Sequence, residues 1–266
     1  MNIYIDFKKE LGYQNAVNQY IELSQRSMHK DYKDILSNSE SLKDFANEHG
    51  LHLSEIHNEI EIRISQNYII NVHTNFELFL TNFRTLSASP MKNAPKYDPE
   101  KENRLEWILN HIYGKHWTED IKILYYICDY YRHARNCIIH TNSQEHSSKL
   151  ASAKSRFNSL QHHEIFQKTV GKLQALNIPQ EMIFDDQVLY SKAACKLAQK
   201  IFYESKYNIV SQAKEEQDVI KAMICAYGNN PERQKAMIKM YFSKQYPIDK
   251  QNYETDFGII LEEVNN

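Results

Sequence analysis

Apolar residues recur along most of the chain at the spacing of one face of an α-helix. From Glu10 onward they are separated by three or four positions rather than by two. The strongest stripe is predicted to form the core face of a long helix that begins near Leu53, with Ser54 as its N-cap. Its members are Ile69, Val72, Phe76, Phe79, Leu80 and Phe83. The pattern therefore predicts an all-α fold, in which only residues 2–7 also fit a short strand.

Helix breakers and caps divide this periodic pattern into elements. The first fifty residues favour two or three modest helices, and the prolines between Ser87 and Pro99 predict a long loop. Gly114 then ends a short helix, and the next helix begins at Thr118 and carries its apolar stripe to residue 140. Further helices are predicted over 147–176, 187–205, 211–227 and 231–244, whereas the last twenty residues are weakly patterned.

Composition agrees with a folded chain of long helices. The 266 residues are 42% hydrophobic and 25% charged, which are ordinary values for a globular protein. There are only 6 glycines and 6 prolines, too few for the many tight turns of a β-rich chain. No internal repeat or low-complexity tract divides the sequence into obvious domains.

Charge and cysteine content restrict the partners and the compartment. Lys and Arg total 32 against 34 Asp and Glu, so the net charge of −2 excludes a global attraction to nucleic acid. The N-terminus lacks the apolar run of a signal peptide, and no stretch reaches the ~18 apolar residues of a membrane span. The four cysteines are widely spaced and are expected to be reduced. We therefore expect a cytoplasmic protein without a membrane association, whose contacts with RNA or DNA are local.

The end of the predicted helix over 119–140 concentrates reactive side chains. Arginine offers a planar fork of donors suited to phosphate, and histidine transfers protons near neutral pH. RNA carries its own nucleophile, so deprotonating a 2′-hydroxyl and stabilising the phosphorane can cleave it without a metal. Arg135 and His140 therefore suit phosphoryl chemistry.

Helical geometry separates these two residues. On an unbroken helix Arg135 and His140 lie about 140° apart, whereas Arg132, Asn136 and His140 follow one another at four-residue spacing on one stripe. Arg135 can join that stripe by the reach of its side chain, by a helix end near residue 138, or through a second subunit. The last alternative predicts a homodimer.

The sequence R-N-x-x-x-H at the end of a long helix in an all-helical chain resembles the motif of the HEPN superfamily. Arg135, Asn136 and His140 match that motif position by position. The long helix around Asn75–Leu80 and the helix over 187–205 are similar to the first and last helices of such domains.

The resemblance covers roughly residues 55–206 and implies a domain organisation. We expect a HEPN-like helical bundle over 53–206 with helical extensions over 1–52 and 207–266. Members of the family are four- or five-helix bundles that often dimerise around a composite cleft. Many are metal-independent endoribonucleases that act as toxins or in defence against phage.

The same resemblance implies residue roles and partners. His140 would be the general acid or base, Arg135 would bind the scissile phosphate, and Asn136 would orient them. RNA would be the substrate of a homodimer that needs neither cofactor nor metal, with a cognate antitoxin or defence-system protein as a further partner. The alternative is a catalytically inactive HEPN-like module that binds RNA, a nucleotide or a protein partner.

Simpler interpretations of these residues stay open. Cationic side chains at a helix C-terminus interact with the last carbonyl groups, which explains Arg135 and His140 without catalysis. His133 and Cys137 are four positions apart, and a zinc site could be completed by His162–His163.

Two further features each have two interpretations. The tyrosines before it could stack on unpaired bases, although we favour packing for most of them. They are Tyr125, Tyr126, Tyr130 and Tyr131. Glu77 on the long helix either holds the motif arginine or is an ordinary carboxylate at the edge of the core.

Overall fold

In the computed structural model, helices account for every regular element of the described residues. No strand occurs in them, which confirms the predicted all-α class. The described residues are 2–53, 60–86, 88–92, 94–95, 97–98, 102–114, 116–140, 143–158, 164–226, 230–248 and 253–265.

Thirteen α-helices and one 3₁₀ turn form this part of the chain. The 3₁₀ turn at Pro179–Glu181 precedes α9. The helices are α1 (Ile3–Asp31), α2 (Lys33–Leu36), α3 (Ser39–Glu48), α4 (Ile60–Thr85), α5 (Arg104–Tyr113), α6 (Glu119–Ile139), α7 (Gln144–Asn158), α8 (Glu164–Val170), α9 (Phe184–Glu204), α10 (Ile209–Glu215), α11 (Gln217–Cys225), α12 (Pro231–Ser243) and α13 (Glu254–Asn265).

The N-terminus is one long helix rather than a strand followed by modest helices. Residues 3–7 belong to α1, which continues for 29 residues. Tyr4 and Phe7 are buried three positions apart, and the Phe7 ring lies 5.1 Å from the ring of Phe79. The strand interpretation of residues 2–7 is therefore wrong, because two apolar positions at helical spacing pack against another helix.

Several helix boundaries in the structure differ from those predicted from the sequence. The single helix predicted over 147–176 corresponds to two helices, α7 and α8, with residues 159–163 outside the described part of the chain. Helix α8 ends at Val170, where Gly171 adopts a φ of +62° and donates its N–H to the carbonyl of Gln167 at 2.7 Å. A break at Glu216 divides the helix predicted over 211–227, and the weakly patterned C-terminus forms α13. The predicted start of the long helix at Ser54 lies outside the described residues.

The chain divides into two compact units. Unit 1 comprises Met1–Lys8, Phe76–Tyr125 and Cys195–Asn266, and unit 2 comprises Lys9–Asn75 and Tyr126–Ala194. Every described residue of the predicted motif belongs to unit 2. The predicted domain boundaries after residues 52 and 206 stay predictions.

The predicted core stripe of α4 is confirmed, since all six of its residues are buried. In unit 1 the Phe76, Phe79 and Phe83 rings stack in succession at about 6 Å. Phe83 meets Tyr207, whose backbone N–H donates to the Tyr253 hydroxyl at 2.9 Å. These contacts connect α4 to the C-terminal helices of this unit.

Unit 2 is centred on buried tyrosines that position the second half of α6. Tyr131 stacks on Tyr190 of α9 at 4.9 Å and donates its hydroxyl to the buried Asp186 carboxylate at 2.8 Å. Tyr130 donates its hydroxyl to the carbonyl of Asn177 at 2.7 Å. The motif at the end of α6 therefore follows a firmly packed helical segment. Among the described residues, no helix has the length and apolar content needed to cross a membrane.

Candidate functional site

The last turns of α6 keep regular helical geometry through the predicted motif. The helix ends at Ile139, and the backbone N–H of His140 still donates to the carbonyl of Asn136 at 2.9 Å. Buried Tyr130, Tyr131 and Ala134 hold the preceding turns against the core. A break in the helix before His140 therefore does not bring Arg135 and His140 together.

The structure joins two of the three predicted site residues directly. The Nη1 group of Arg135 donates to Oδ1 of Asn136 at 3.1 Å. The Arg135 side chain is half-buried, and its Nε is a buried donor without a hydrogen-bond acceptor in the described part of the protein. Asn136 thus orients a guanidinium that keeps an unused donor.

The third predicted residue, His140, meets a different side chain. Its imidazole is exposed and lies 5.1 Å, between ring centroids, from the imidazole of His146, with the planes inclined by 32°. No hydrogen bond joins Arg135 to His140 among the described residues. His146 was not identified from the sequence, because helical periodicity does not extend from α6 into α7.

Short contacts connect the first turn of α7 to the end of α6. The Ser143 N–H donates to the carbonyl of His140 at 3.3 Å, and the His146 N–H donates to the Ser143 hydroxyl at 3.4 Å. Burial raises the pKa of the Cys137 thiol, and a hydrogen bond with Ser147 opposes that rise. Cys137 therefore acts as a packed thiol that contacts α7 rather than as an activated nucleophile.

A buried histidine of α4, His73, interacts electrostatically with the arginine of the motif. Its Nδ1 is 2.8 Å from the hydroxyl of Tyr190. Burial lowers the pKa of His73 to about 3, and the positive charges of Arg135 and Arg132 lower it further. His73 is therefore a neutral ring beside two guanidinium groups. His73 could not be identified from the sequence, because it occupies an ordinary position on the α4 helix.

A buried carboxylate on α6, Asp129, is surrounded by cationic side chains. Its Oδ1 accepts from Nη2 of Arg132 at 2.6 Å and from Nε at 3.0 Å. Nη1 of Arg156, on α7, lies 3.6 Å from Oδ2, and Nε2 of His133 lies 3.7 Å from the same oxygen. The Arg156 guanidinium also covers the ring of Tyr126 at 5.9 Å. Two guanidinium groups against one carboxylate leave this surface locally positive.

His133 contacts this cluster rather than a metal ligand. Its Nε2 lies 2.8 Å from Nη2 of Arg132. Burial lowers the pKa of His133 to about 4, and the charge of Arg132 adds to that effect. Within the described residues, no group of three or more His, Cys, Asp or Glu side chains has a metal-binding arrangement. The zinc interpretation also required His162–His163, which lies outside the described residues.

The predicted packing of the tyrosines is confirmed for three of the four. Tyr125, Tyr130 and Tyr131 are buried, and Tyr126 is half-buried. Glu77 accepts a hydrogen bond from Nη1 of Arg104 at 3.0 Å. Glu77 thus holds an arginine of α5.

Unit 2 therefore carries four candidate side chains at the end of α6 and the start of α7, and a fifth, on α4, interacts electrostatically with Arg135. They are His73, Arg135, Asn136, His140 and His146. Comparison of the chain with protein-family models, with curated proteins and with solved structures finds no match.

Proposed function

We propose that the protein is a metal-independent endoribonuclease of the HEPN type, built on a HEPN-like helical bundle and active as a homodimer. The observation that carries this proposal is the arrangement on the last turns of α6. The Arg135 guanidinium is oriented by Asn136 and keeps a buried Nε donor that no described group accepts, while the imidazole of His140 is exposed one turn later. Such an enzyme would act as a toxin or a phage-defence effector.

The proposed reaction is an intramolecular attack of the RNA 2′-hydroxyl on the adjacent phosphate. Arg135 binds the scissile phosphate and stabilises the negative charge of the phosphorane, which is the contribution that a metal ion makes in other nucleases. His140 transfers a proton to or from the reacting oxygens. Asn136 keeps the guanidinium in place, so less entropy is lost when the phosphate binds.

The cationic groups around Asp129 supply the local attraction that the net charge of the chain lacks. Arg132 and Arg156 together outweigh the single carboxylate, and Arg132 lies one turn before Asn136. Phosphate groups that flank the cleavage site would bind this surface. Such contacts supply nearly all of the sequence-independent affinity of proteins for nucleic acid.

Cleavage of labelled RNA by the purified protein in excess chelator tests the proposal. We expect a 2′,3′-cyclic phosphate at the product end and a loss of rate of about 100-fold or more in Arg135→Ala and in His140→Ala. Exposed residues of unit 1 provide matched controls, Arg233→Ala and His116→Ala, which should cut at the wild-type rate. If Arg135→Ala or His140→Ala cuts as fast as the wild type, the site is wrong.

A catalytically inactive HEPN-like module that binds a protein partner is the second candidate. The observation that favours it is an apolar stripe on the exposed face of α1 in unit 2, where Tyr13, Val17 and Tyr20 follow at helical spacing. Tyr13 is 70% exposed and Tyr20 is 73% exposed. This candidate is supported if the purified protein does not cleave RNA and binds a host protein that the folded double variant Tyr13→Asp, Tyr20→Asp does not bind.

A further inference from the structure

We propose that His146 is a second catalytic residue, which forms with His140 an acid–base pair supplied by a single chain. The inference rests on the proposed ribonuclease function and specifies how it transfers protons. The two imidazole rings are 5.1 Å apart between centroids and are inclined by 32°. A single phosphodiester group can bridge two imidazoles at this separation.

The reaction itself requires two proton transfers. One imidazole takes the proton of the 2′-hydroxyl while that oxygen forms its bond to phosphorus. The bond from phosphorus to the 5′-oxygen breaks, and the second imidazole, in its protonated form, gives its proton to the leaving oxygen. The products are a 2′,3′-cyclic phosphate and a 5′-hydroxyl, and the two rings regain their starting protonation by exchange with water. The motif Arg135, Asn136 and His140 supplies only one of these two groups per chain.

The setting of His146 suits the second role. It is half-buried in the first turn of α7, and its Nδ1 is a buried atom without a partner in the described part of the chain. The ring therefore has hydrogen-bonding capacity that no described protein group uses. If His146 only capped or packed the helix, its Nδ1 would be expected to form a hydrogen bond with a neighbouring group.

Hydrogen bonds through Ser143 hold the segments that carry the two rings next to each other. Ser143 bonds both to the carbonyl of His140 and to the backbone N–H of His146. The Ser147 hydroxyl also donates to the Ser143 carbonyl at 3.2 Å, which holds the first turn of α7 to the same residue. The two imidazoles are thus carried by adjacent helix ends that are joined through Ser143, which supplies preorganisation of the kind that general acid–base catalysis requires.

A substrate with a sulfur leaving group separates the two roles. In RNA with a 5′-bridging phosphorothiolate at the mapped cleavage site, the leaving thiolate needs no proton, so the general acid becomes dispensable. On ordinary RNA, His140→Ala and His146→Gln should each lose about 100-fold or more in rate. On the sulfur substrate, one of the two variants should recover to within about tenfold of the wild type, and the other should stay slow.

Three outcomes of this experiment overturn the inference. If His146→Gln cuts ordinary RNA at the wild-type rate while His140→Ala does not, the proposed function survives and the role of His146 is wrong. If His146→Gln is equally slow on both substrates and His140→Ala is too, His146 is only structural. If the wild type does not cut RNA, the proposed function fails and the inference fails with it.

Mixed dimers test whether the pair belongs to one chain. In a dimer of one His140→Ala chain and one His146→Gln chain, neither chain has both imidazoles. We expect this dimer to remain as slow as the two parent variants. Recovery to about half of the wild-type rate would show that the pair forms across two chains and would overturn the single-chain assignment.

Discussion

At the residue scale, the surplus positive charge beside the motif depends on Arg156. Its guanidinium approaches the buried Asp129 carboxylate at 3.6 Å and its side chain is 44% exposed, so it can meet a phosphate without losing its position. Arg132 is more deeply engaged with the same carboxylate, because two of its nitrogens donate to Oδ1. Arg156 is therefore the better residue with which to test phosphate binding.

We predict that Arg156→Gln weakens RNA binding severalfold for all sequences and lowers the magnitude of the salt slope of log Kd by about 1, because one phosphate contact is lost. Binding is measured in the His140→Ala background, which prevents cleavage, over a series of salt concentrations. Arg233→Gln provides the matched control on an exposed helix of unit 1. An unchanged salt slope in Arg156→Gln would place the phosphate contacts elsewhere.

The lowered pKa of His73 leads to a prediction of how the free energy of unfolding depends on pH. Its pKa is lowered from 6.5 to about 3 in the folded protein, chiefly by burial, so the unfolded chain takes up this proton first as the pH falls. The stability that the neutral ring contributes is therefore complete above pH 6.5 and is lost as the pH falls toward 3. Between pH 7 and pH 5 the loss amounts to about 2 kcal/mol.

Urea unfolding of the wild type and of His73→Asn at the two pH values measures this loss. The asparagine amide replaces Nδ1 as a partner of Tyr190 and does not titrate. We expect the free energy of unfolding of the variant to fall by about 2 kcal/mol less than that of the wild type between pH 7 and pH 5. Equal decreases in the two proteins would contradict the buried, neutral state of His73.

At the element scale, Asp186 connects three segments of unit 2. It is fully buried near the start of α9 and accepts the Tyr131 hydroxyl of α6 at 2.8 Å. It also accepts the backbone N–H groups of Leu176, Asn177 and Ile183, at 2.7, 3.0 and 3.0 Å. This one carboxylate replaces the secondary-structure bonds that the segment between α8 and α9 lacks.

We predict that Asp186→Ala lowers the free energy of unfolding by about 3 kcal/mol or more, because several buried donors lose their acceptor. Amide hydrogen exchange should show lost protection at Leu176, Asn177 and Ile183. Asp185→Ala is the matched control, since Asp185 accepts a more exposed backbone N–H from Gln174 at 2.8 Å, and it should cost about 1 kcal/mol. Similar effects of the two substitutions would argue against a special role for Asp186.

At the scale of the whole molecule, the regular helical geometry up to His140 is the reason for proposing a homodimer. Arg135 and His140 keep the angular separation of a continuous helix, and no hydrogen bond joins them within the described residues. A cleft built from two chains would place the guanidinium of one chain near the imidazoles of the other. A homodimer, as proposed, would provide the convergence that α6 alone does not.

We predict that the protein sediments as a dimer and that Arg135→Ala and His140→Ala complement each other in a mixed dimer. Such a dimer keeps one intact arginine and one intact histidine for a shared cleft, so its rate should exceed that of both parent homodimers by about tenfold or more. The two chains are coexpressed with different tags and purified by both. A rate no higher than that of the parents, or a monomer in sedimentation, would contradict a composite cleft.

Local sequence determined the helical class, the buried stripe of α4, the extent of α6 and the candidate motif. These features depend on residues three and four positions apart, and that spacing places side chains on one face of a helix whatever surrounds it. The end of α8 at Gly171 was missed although glycine favours such ends, because the apolar pattern continued past it. The strand interpretation of residues 2–7 failed because so short an apolar run fits either period.

Only the tertiary structure decided what surrounds the motif. His73 comes from α4, Arg156 and His146 come from α7, and Tyr190 comes from α9, so their proximity to α6 results from helix packing. Packing depends on how whole faces fit together, and a local period carries no information about which faces meet. The sequence by itself thus determined the candidate segment Arg135–His140. The fold decided that Asn136 holds the arginine and that a second imidazole stands beside His140.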